Sequence, residues 1–259
     1  MKQTAYTRWT IPGQVDVDWQ VRPFAETLDD LQVDLQGLAP FATTGILCGC
    51  LMQEGETLQQ DEVWSWTINR RLQGLLAVTH ATCGESLVLT AQCQSPTCGQ
   101  LMDLPLQLRA FARSEDPRQV DLHLSDGTQV GLRVPTGEDQ RTWLQTRTTT
   151  NRMVEDLLSR PWDSQTATET RDAADALLAE SDPLTTLEIE THCPECGASN
   201  LVPVDLEQQC LCSLVVWQSR LLDQVHHLAL AYHWTEAEIL AIPASRRRLY
   251  LDRVMEVWQ

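Results

Sequence analysis

Lysine is nearly missing from this chain: Lys2 is the only one in 259 residues. With no later lysine there is no Walker-A phosphate loop, no kinase-type strand lysine and no Schiff-base catalyst. Positive charge is scarce overall, with 19 Lys+Arg against 36 Asp+Glu for a net charge of −17. Such a field repels phosphate, which argues against nucleic acid or anionic lipid as the main partner. Long hydrophobic runs are missing as well. Nothing approaches the ~18 continuous apolar residues of a membrane span, and Met1 to Thr10 lacks the apolar core of a signal peptide. The expectation is a protein of the reducing cytoplasm with no membrane span. The usual catalytic signatures are also lacking: no Gly-x-Ser-x-Gly elbow, no His-x-Glu and no paired carboxylates that stand out from a generally acidic surface.

What the chain does have is an apolar fraction of 42%, enough for a packed core in one large domain or two small ones. It also has nine cysteines, an odd number, and too few in a chain this long for a disulfide scaffold. Four of them fall in a repeat spaced by 100 residues. Leu87 to Cys93 matches Leu187 to Cys193 in register, and both stretches alternate with the period of a half-buried strand. Each runs into a cysteine pair closed by glycine: Cys93 and Cys98 before Gly99, Cys193 and Cys196 before Gly197. A second strand-like run follows each pair, Leu101 to Leu104 and Leu201 to Leu206. Helical patterning precedes each, over Val63 to Val78 and Thr170 to Ala179.

A tight cysteine knuckle aims backbone N–H groups at its thiolates, and the glycine relieves crowding at the end of the turn. One knuckle supplies two ligands, and a closed structural zinc site needs four. The repeat therefore predicts a zinc site from Cys93, Cys98, Cys193 and Cys196, with residues 99–192 as a metal-closed insertion. Reduced buried thiols are the alternative. A dithiol oxidoreductase using Cys193 and Cys196 is a further one, although such a pair belongs at a helix N-terminus and the residues after Gly197 read as strand. The other five cysteines read as packing residues. A second site from Cys193, Cys196, Cys210 and Cys212 is disfavoured because Cys210 and Cys212 diverge on a helix.

Between the two units, Val120, Leu122 and Leu124 face Val130, Leu132 and Val134 in a hairpin turning through Ser125-Asp126-Gly127-Thr128. Thr136 to Asp139 reads as a helix start. Residues 151–200 hold 11 acidic and 3 basic residues, a local −8, and include Ser164 to Thr170 as an exposed linker. From Cys210 to Tyr232 the apolar positions advance by fours and threes along one long helix. Thr235 and Glu238 form a capping box for a short helix ended by Pro243, and Ser245 opens a final one. The fold class expected is α+β. It has two pseudo-repeated, zinc-ribbon-like units of helix, strand, cysteine knuckle and strand, a β-hairpin insertion, and a long C-terminal helix followed by two short ones. The divisions are an N-terminal arm (1–40), the first unit (41–110), hairpin and connecting helix (111–150), the second unit (151–206) and the C-terminal helical region (207–259).

Arg246, Arg247 and Arg248 behind a turn between helices invite a DNA-binding reading, which the acidic chain argues against. A solvated face or a protein-docking face fits better, since arginine pairs with carboxylates bidentately. Cys193-Pro194-Glu195-Cys196-Gly197, the helix through Tyr232, Val225 to Ala229, Tyr232 to Leu240 and Arg246 to Leu251 together resemble the C-terminal signature of T4-like phage baseplate hub assembly proteins. Relatives of that family occur in phage-derived contractile injection systems. Val21-Arg22-Pro23 and Leu132 to Asp139 extend the resemblance to most of the chain, and it departs at the first knuckle, where Gln94-Ser95-Pro96-Thr97 replaces a two-residue spacer. The resemblance implies a non-enzymatic role in building the hub of a contractile tail. The partners would be baseplate hub, spike or tail-tube-end proteins, and neither nucleic acid nor membrane. The expected docking residues are His233, Trp234, Arg246, Arg247, Arg248 and Tyr250.

Overall fold

The computed structural model describes residues 7–10, 18–112, 117–124, 127–159 and 167–257. The fold is mixed α+β, with small antiparallel sheets and one long helix near the C-terminus. Strands β1 (Thr7–Thr10) and β2 (Asp18–Val21) pair with each other and, through β2, with β3 (Leu51–Gln53) and β4 (Glu56–Thr57). The stretch expected as an N-terminal arm thus supplies two strands of this sheet. Trp19 of β2 is fully buried and stacks on Trp66 with ring centroids 5.5 Å apart. After β2 come a single helical turn, α1 (Leu28–Leu31), and α2 (Ala39–Cys50). Arg22 makes a two-pronged, buried ion pair with Asp30 of α1 at 2.7 and 2.9 Å.

The helix expected from Val63 to Val78 is two helices, α3 (Gln60–Ser65) and α4 (Ile68–Cys83). The break at Trp66 and Thr67 has a long-range cause. Thr67 forms an isolated antiparallel bridge with Thr136, while the Trp66 carbonyl accepts from Gly137 N–H and the Pro135 carbonyl accepts from Ile68 N–H. The backbone is extended where a continuous helix needs it coiled, and the Thr67 side chain then caps α4 by accepting from Arg70 N–H.

From α4 the chain enters hairpin β5 (Ser86–Gln92) and β6 (Leu101–Gln107), followed by a short turn of 3-10 helix at Leu108–Phe111. The inserted hairpin is present as β7 (Gln119–His123) and β8 (Gln129–Arg133). Of its turn, Ser125 and Asp126 lie outside the described residues, and Gly127 has the left-handed φ of +82° expected there. Next come α5 (Gly137–Thr146), α6 (Thr150–Leu157) and α7 (Ala167–Ser181). Thr136 caps α5 reciprocally with Asp139. Part of the expected linker, residues 164–166, lies outside the described residues. The rest begins α7, where Thr170 is buried rather than exposed, because the helix lays this face on a small core. Leu122, Val130, Leu132, Val154, Leu157 and Ala174 form that core.

The chain then makes a second knuckled hairpin, β9 (Glu188–His192) and β10 (Ser199–Pro203), and enters α8 (Leu206–Tyr232). The side chain of Asp205 accepts from Gln208 N–H to start α8, and His233 ends it in the left-handed region, at φ +55°. Cys210, Leu211 and Leu214 of α8 pack against Leu72, Leu75 and Leu76 of α4 and Ile46 and Leu47 of α2, inside the main core. Beyond it, α9 (Glu236–Ala241), capped by Thr235 and Glu238, and α10 (Ala244–Val257) fold back on the end of α8 around Leu228, Ile239 and Val254. Among the described residues no helix is long and apolar enough to cross a membrane.

Candidate metal centre

Hairpins β5–β6 and β9–β10 each carry a cysteine pair in the turn between their strands. In the first, Cys93 N–H donates to the Gln100 carbonyl at 2.8 Å, and Gly99 takes φ +61° to bring the chain back into β6. In the second, Cys193 N–H donates to the Ala198 carbonyl at 2.9 Å, Gly197 N–H to the Cys193 carbonyl at 2.8 Å, and Gly197 takes φ +72°. The same local device recurs although the first spacer is two residues longer. These are conformations that favour glycine, which explains its place after each pair.

The two turns meet tip to tip. Cys93 Sγ lies 3.7 Å from Cys196 Sγ, Cys98 Sγ lies 3.8 Å from Cys193 Sγ, and all four sulfurs fall within 4.8 Å of one another. Metal–thiolate bonds of about 2.3 Å in a tetrahedron put the sulfurs roughly 3.8 Å apart. The two close contacts match that edge, so the four cysteines predicted from the sequence are close enough to hold one metal ion. Cys93 and Cys193 are buried with Met102 in a small cluster of their own, Cys98 is half-buried and Cys196 is exposed. Backbone N–H groups point at the sulfurs. Those of Cys196 and, behind it, Glu195 pull the Cys193 thiol down to about 7. At Cys98 the Gln100 N–H acts in the same sense, but burial and the neighbouring sulfurs push the thiol up to about 12. Without a cation, four sulfurs this close cannot all hold negative charge; a bound dication removes that conflict.

The other cysteines stay apart from this centre. Cys50 and Cys210 are buried in the main core, where burial raises both thiols, and Cys48 and Cys83 are half-buried. Cys212 is not a packing residue: it is exposed and accepts from Gln208 Nε2 at 3.2 Å, because it faces away from the core side that Cys210 occupies. Cys210 is thereby unable to join Cys193 and Cys196 in a second site.

The expected docking residues do not form one surface. Arg246 and Arg248 are exposed, but Arg247 is buried, with both terminal nitrogens donating to the Glu26 carbonyl at 3.1 Å. Consecutive helical residues point about 100° apart, so Arg246 and Arg248 diverge to either side of the face on which Arg247 packs. Trp234 is half-buried and stacks on Tyr232 at 4.6 Å, with Tyr250 set edge-on to both. His233 is exposed at the helix end.

Two residues of the metal region carry no cysteine-like signal in the sequence. Asn200 Oδ1 accepts from Gln94 N–H at 2.7 Å, and Gln94 Nε2 donates to the Leu201 carbonyl at 2.8 Å, tying one hairpin to the other. The one available clue is that Asn200 occupies an inward position of a strand whose other inward residue, Val202, is apolar, as is Val204 just beyond it.

No family model matches this chain, and neither a curated protein nor a solved structure does.

Proposed function

We propose that this protein is a non-enzymatic structural or assembly factor whose two cysteine hairpins, a zinc-ribbon-like pseudo-repeat, are clasped by one structural zinc ion. The observation that carries the reading is the meeting of Cys93, Cys98, Cys193 and Cys196 within 4.8 Å from two hairpins 100 residues apart. Four thiolates in a tetrahedron fill the coordination shell of zinc and leave no open position for a substrate, which is the mark of a structural rather than a catalytic site. When bound, the ion supplies a cross-link of high affinity between distant parts of the chain; apparent values for small zinc peptides are ~10–16 kcal/mol.

The resemblance to T4-like phage baseplate hub assembly proteins supplies the setting: the cytoplasm of a host or producing cell, with hub, spike or tail-tube-end proteins as partners. In that setting the docking residues lie in the C-terminal helices: exposed Arg246, Arg248 and His233, with the half-buried Trp234 and Tyr250 aromatics. Metal analysis of the purified protein and of its Cys193→Ser variant tests the clasp. One zinc per chain, lost in the variant, is expected, and a metal-free wild type sinks the reading. For docking, the Arg246→Glu, Arg248→Glu double variant should fold but fail to assemble with hub proteins in a co-expression pull-down. Undiminished assembly would move the interface elsewhere.

The exposure of Cys196, two residues beyond Pro194 in the same turn as Cys193, favours a second reading, a dithiol redox pair. Alkylation separates the two: a redox pair labels rapidly at neutral pH, whereas metal thiolates stay protected until a chelator is added.

A further inference from the structure

Metal ligands are held in place by the groups behind them, and losing such a group typically weakens metal binding about 10- to 100-fold. In this protein the group best placed for that role is a neutral amide. Asn200 is buried to 1% exposure at the start of β10. Its Oδ1 accepts from the N–H of Gln94, the residue that follows Cys93, at 2.7 Å. Its Nδ2 donates at 2.8 Å to the Ala198 carbonyl. That same carbonyl accepts from Cys193 N–H. One side chain therefore spans from the peptide behind a ligand of the first knuckle to the carbonyl that anchors a ligand of the second.

Resting on the clasp reading above, we propose that Asn200 is the positioning residue of the metal centre, setting the angle between the two knuckles so that their four sulfurs form one tetrahedron rather than two separate dithiol pairs. The chemistry suits the task. An amide carries an acceptor oxygen and a donor NH2 group, both engaged here, and adds no charge beside a centre already carrying four thiolates. Apart from the sulfur contacts, a second side-chain link between the hairpins, Gln94 Nε2 to the Leu201 carbonyl, is exposed, where water competes with it.

The test is a titration of the metal-free full-length protein with Co²⁺, whose d–d absorption reports tetrahedral thiolate geometry, followed by competition with Zn²⁺ against a chelator. Asn200→Ala is expected to weaken affinity about 10- to 100-fold and to alter the Co²⁺ spectrum. Val202→Ala, which trims the next inward side chain of the same strand, should leave the spectrum unchanged. Wild-type affinity and spectrum in Asn200→Ala would overturn the assignment while leaving the clasp intact. Equal spectral change in Val202→Ala would also overturn it, by making the effect one of general loosening. A wild type that binds neither ion defeats the clasp itself, and this inference with it. Should Asn200→Ala not fold, as judged by loss of helical circular dichroism, Asn200→Ser takes its place with the same two readouts.

Discussion

Cys93 and Cys196 are 103 positions apart in the chain, yet their sulfurs lie 3.7 Å from each other. Each belongs to a different two-stranded hairpin, so the contact joins two elements that share no sheet. If a metal makes that junction, chelation should lower the melting temperature of the wild type and have little effect on Cys93→Ser, which is already metal-free. Cys212→Ser, altering an exposed thiol outside the cluster, should keep its metal. Because thiolates must be deprotonated to bind, acidification should release the ion. Metal content measured alongside thermal melts checks all of this.

The three adjacent arginines should separate into two classes. Replacing exposed Arg246 or Arg248 by alanine is expected to change stability by no more than about 0.5 kcal/mol. Arg247→Ala removes buried, charged hydrogen bonds to the Glu26 carbonyl, and is expected to cost about 1.5–3 kcal/mol. Urea unfolding of the three single variants decides it; equal midpoints would contradict the buried position of Arg247.

Gly74 sits where α4 presses on α2. A Cβ there would come within 2.8 Å of Leu47 Cδ2 and 3.1 Å of Leu51 Cδ1. Alanine gains about 1 kcal/mol in helix propensity, while overpacking costs roughly 1–3 kcal/mol. Gly74→Ala should therefore come out neutral to about 2 kcal/mol destabilised, unlike the same change at an exposed helical glycine. Denaturant midpoints measure the difference.

Burial raises the Glu207 carboxyl above its ordinary 4.5, with the Thr43 hydroxyl, which donates to it at 2.6 Å, and Arg71 pulling the other way. A carboxyl raised in the folded state gives stability that is complete below its unfolded value and is lost as pH rises through the folded one. Glu207→Gln, which stays neutral, should gain stability relative to wild type between acid and neutral pH. Parallel stability-against-pH curves for the two proteins would rule this out.

Where local chemistry decides, the sequence was readable. The knuckles showed themselves as cysteine pairs closed by glycine, and α8 by its fours and threes. The helix starts at Thr136 and Thr235 announced themselves through their acidic partners three residues on. What escaped depends on distant partners. The extended backbone at Trp66 and Thr67 needs Thr136 and Gly137, about 70 residues away, to explain it. Arg247 is buried because Glu26, 221 positions earlier, offers a carbonyl. Asn200 shows only as a polar residue at an inward strand position until Gln94 is brought against it. Periodicity reports which face of an element is apolar, but not which remote group will cover it.

The position of α8 bears on how the protein is made. Its residues Cys210, Leu211 and Leu214 fill the same core as Trp19, Leu47 and Leu76, so the first half of the chain leaves the ribosome with an open hydrophobic face. The first knuckle waits too. At ~5–20 residues per second of synthesis, the 100 residues between Cys93 and Cys193 take roughly 5–20 s, during which the earlier thiols have no partners. Both gaps close together, as the second hairpin emerges and α8 follows it. The nascent chain is therefore most exposed to aggregation and oxidation midway through translation, and a product truncated before Leu206 should be found with chaperones or as insoluble material.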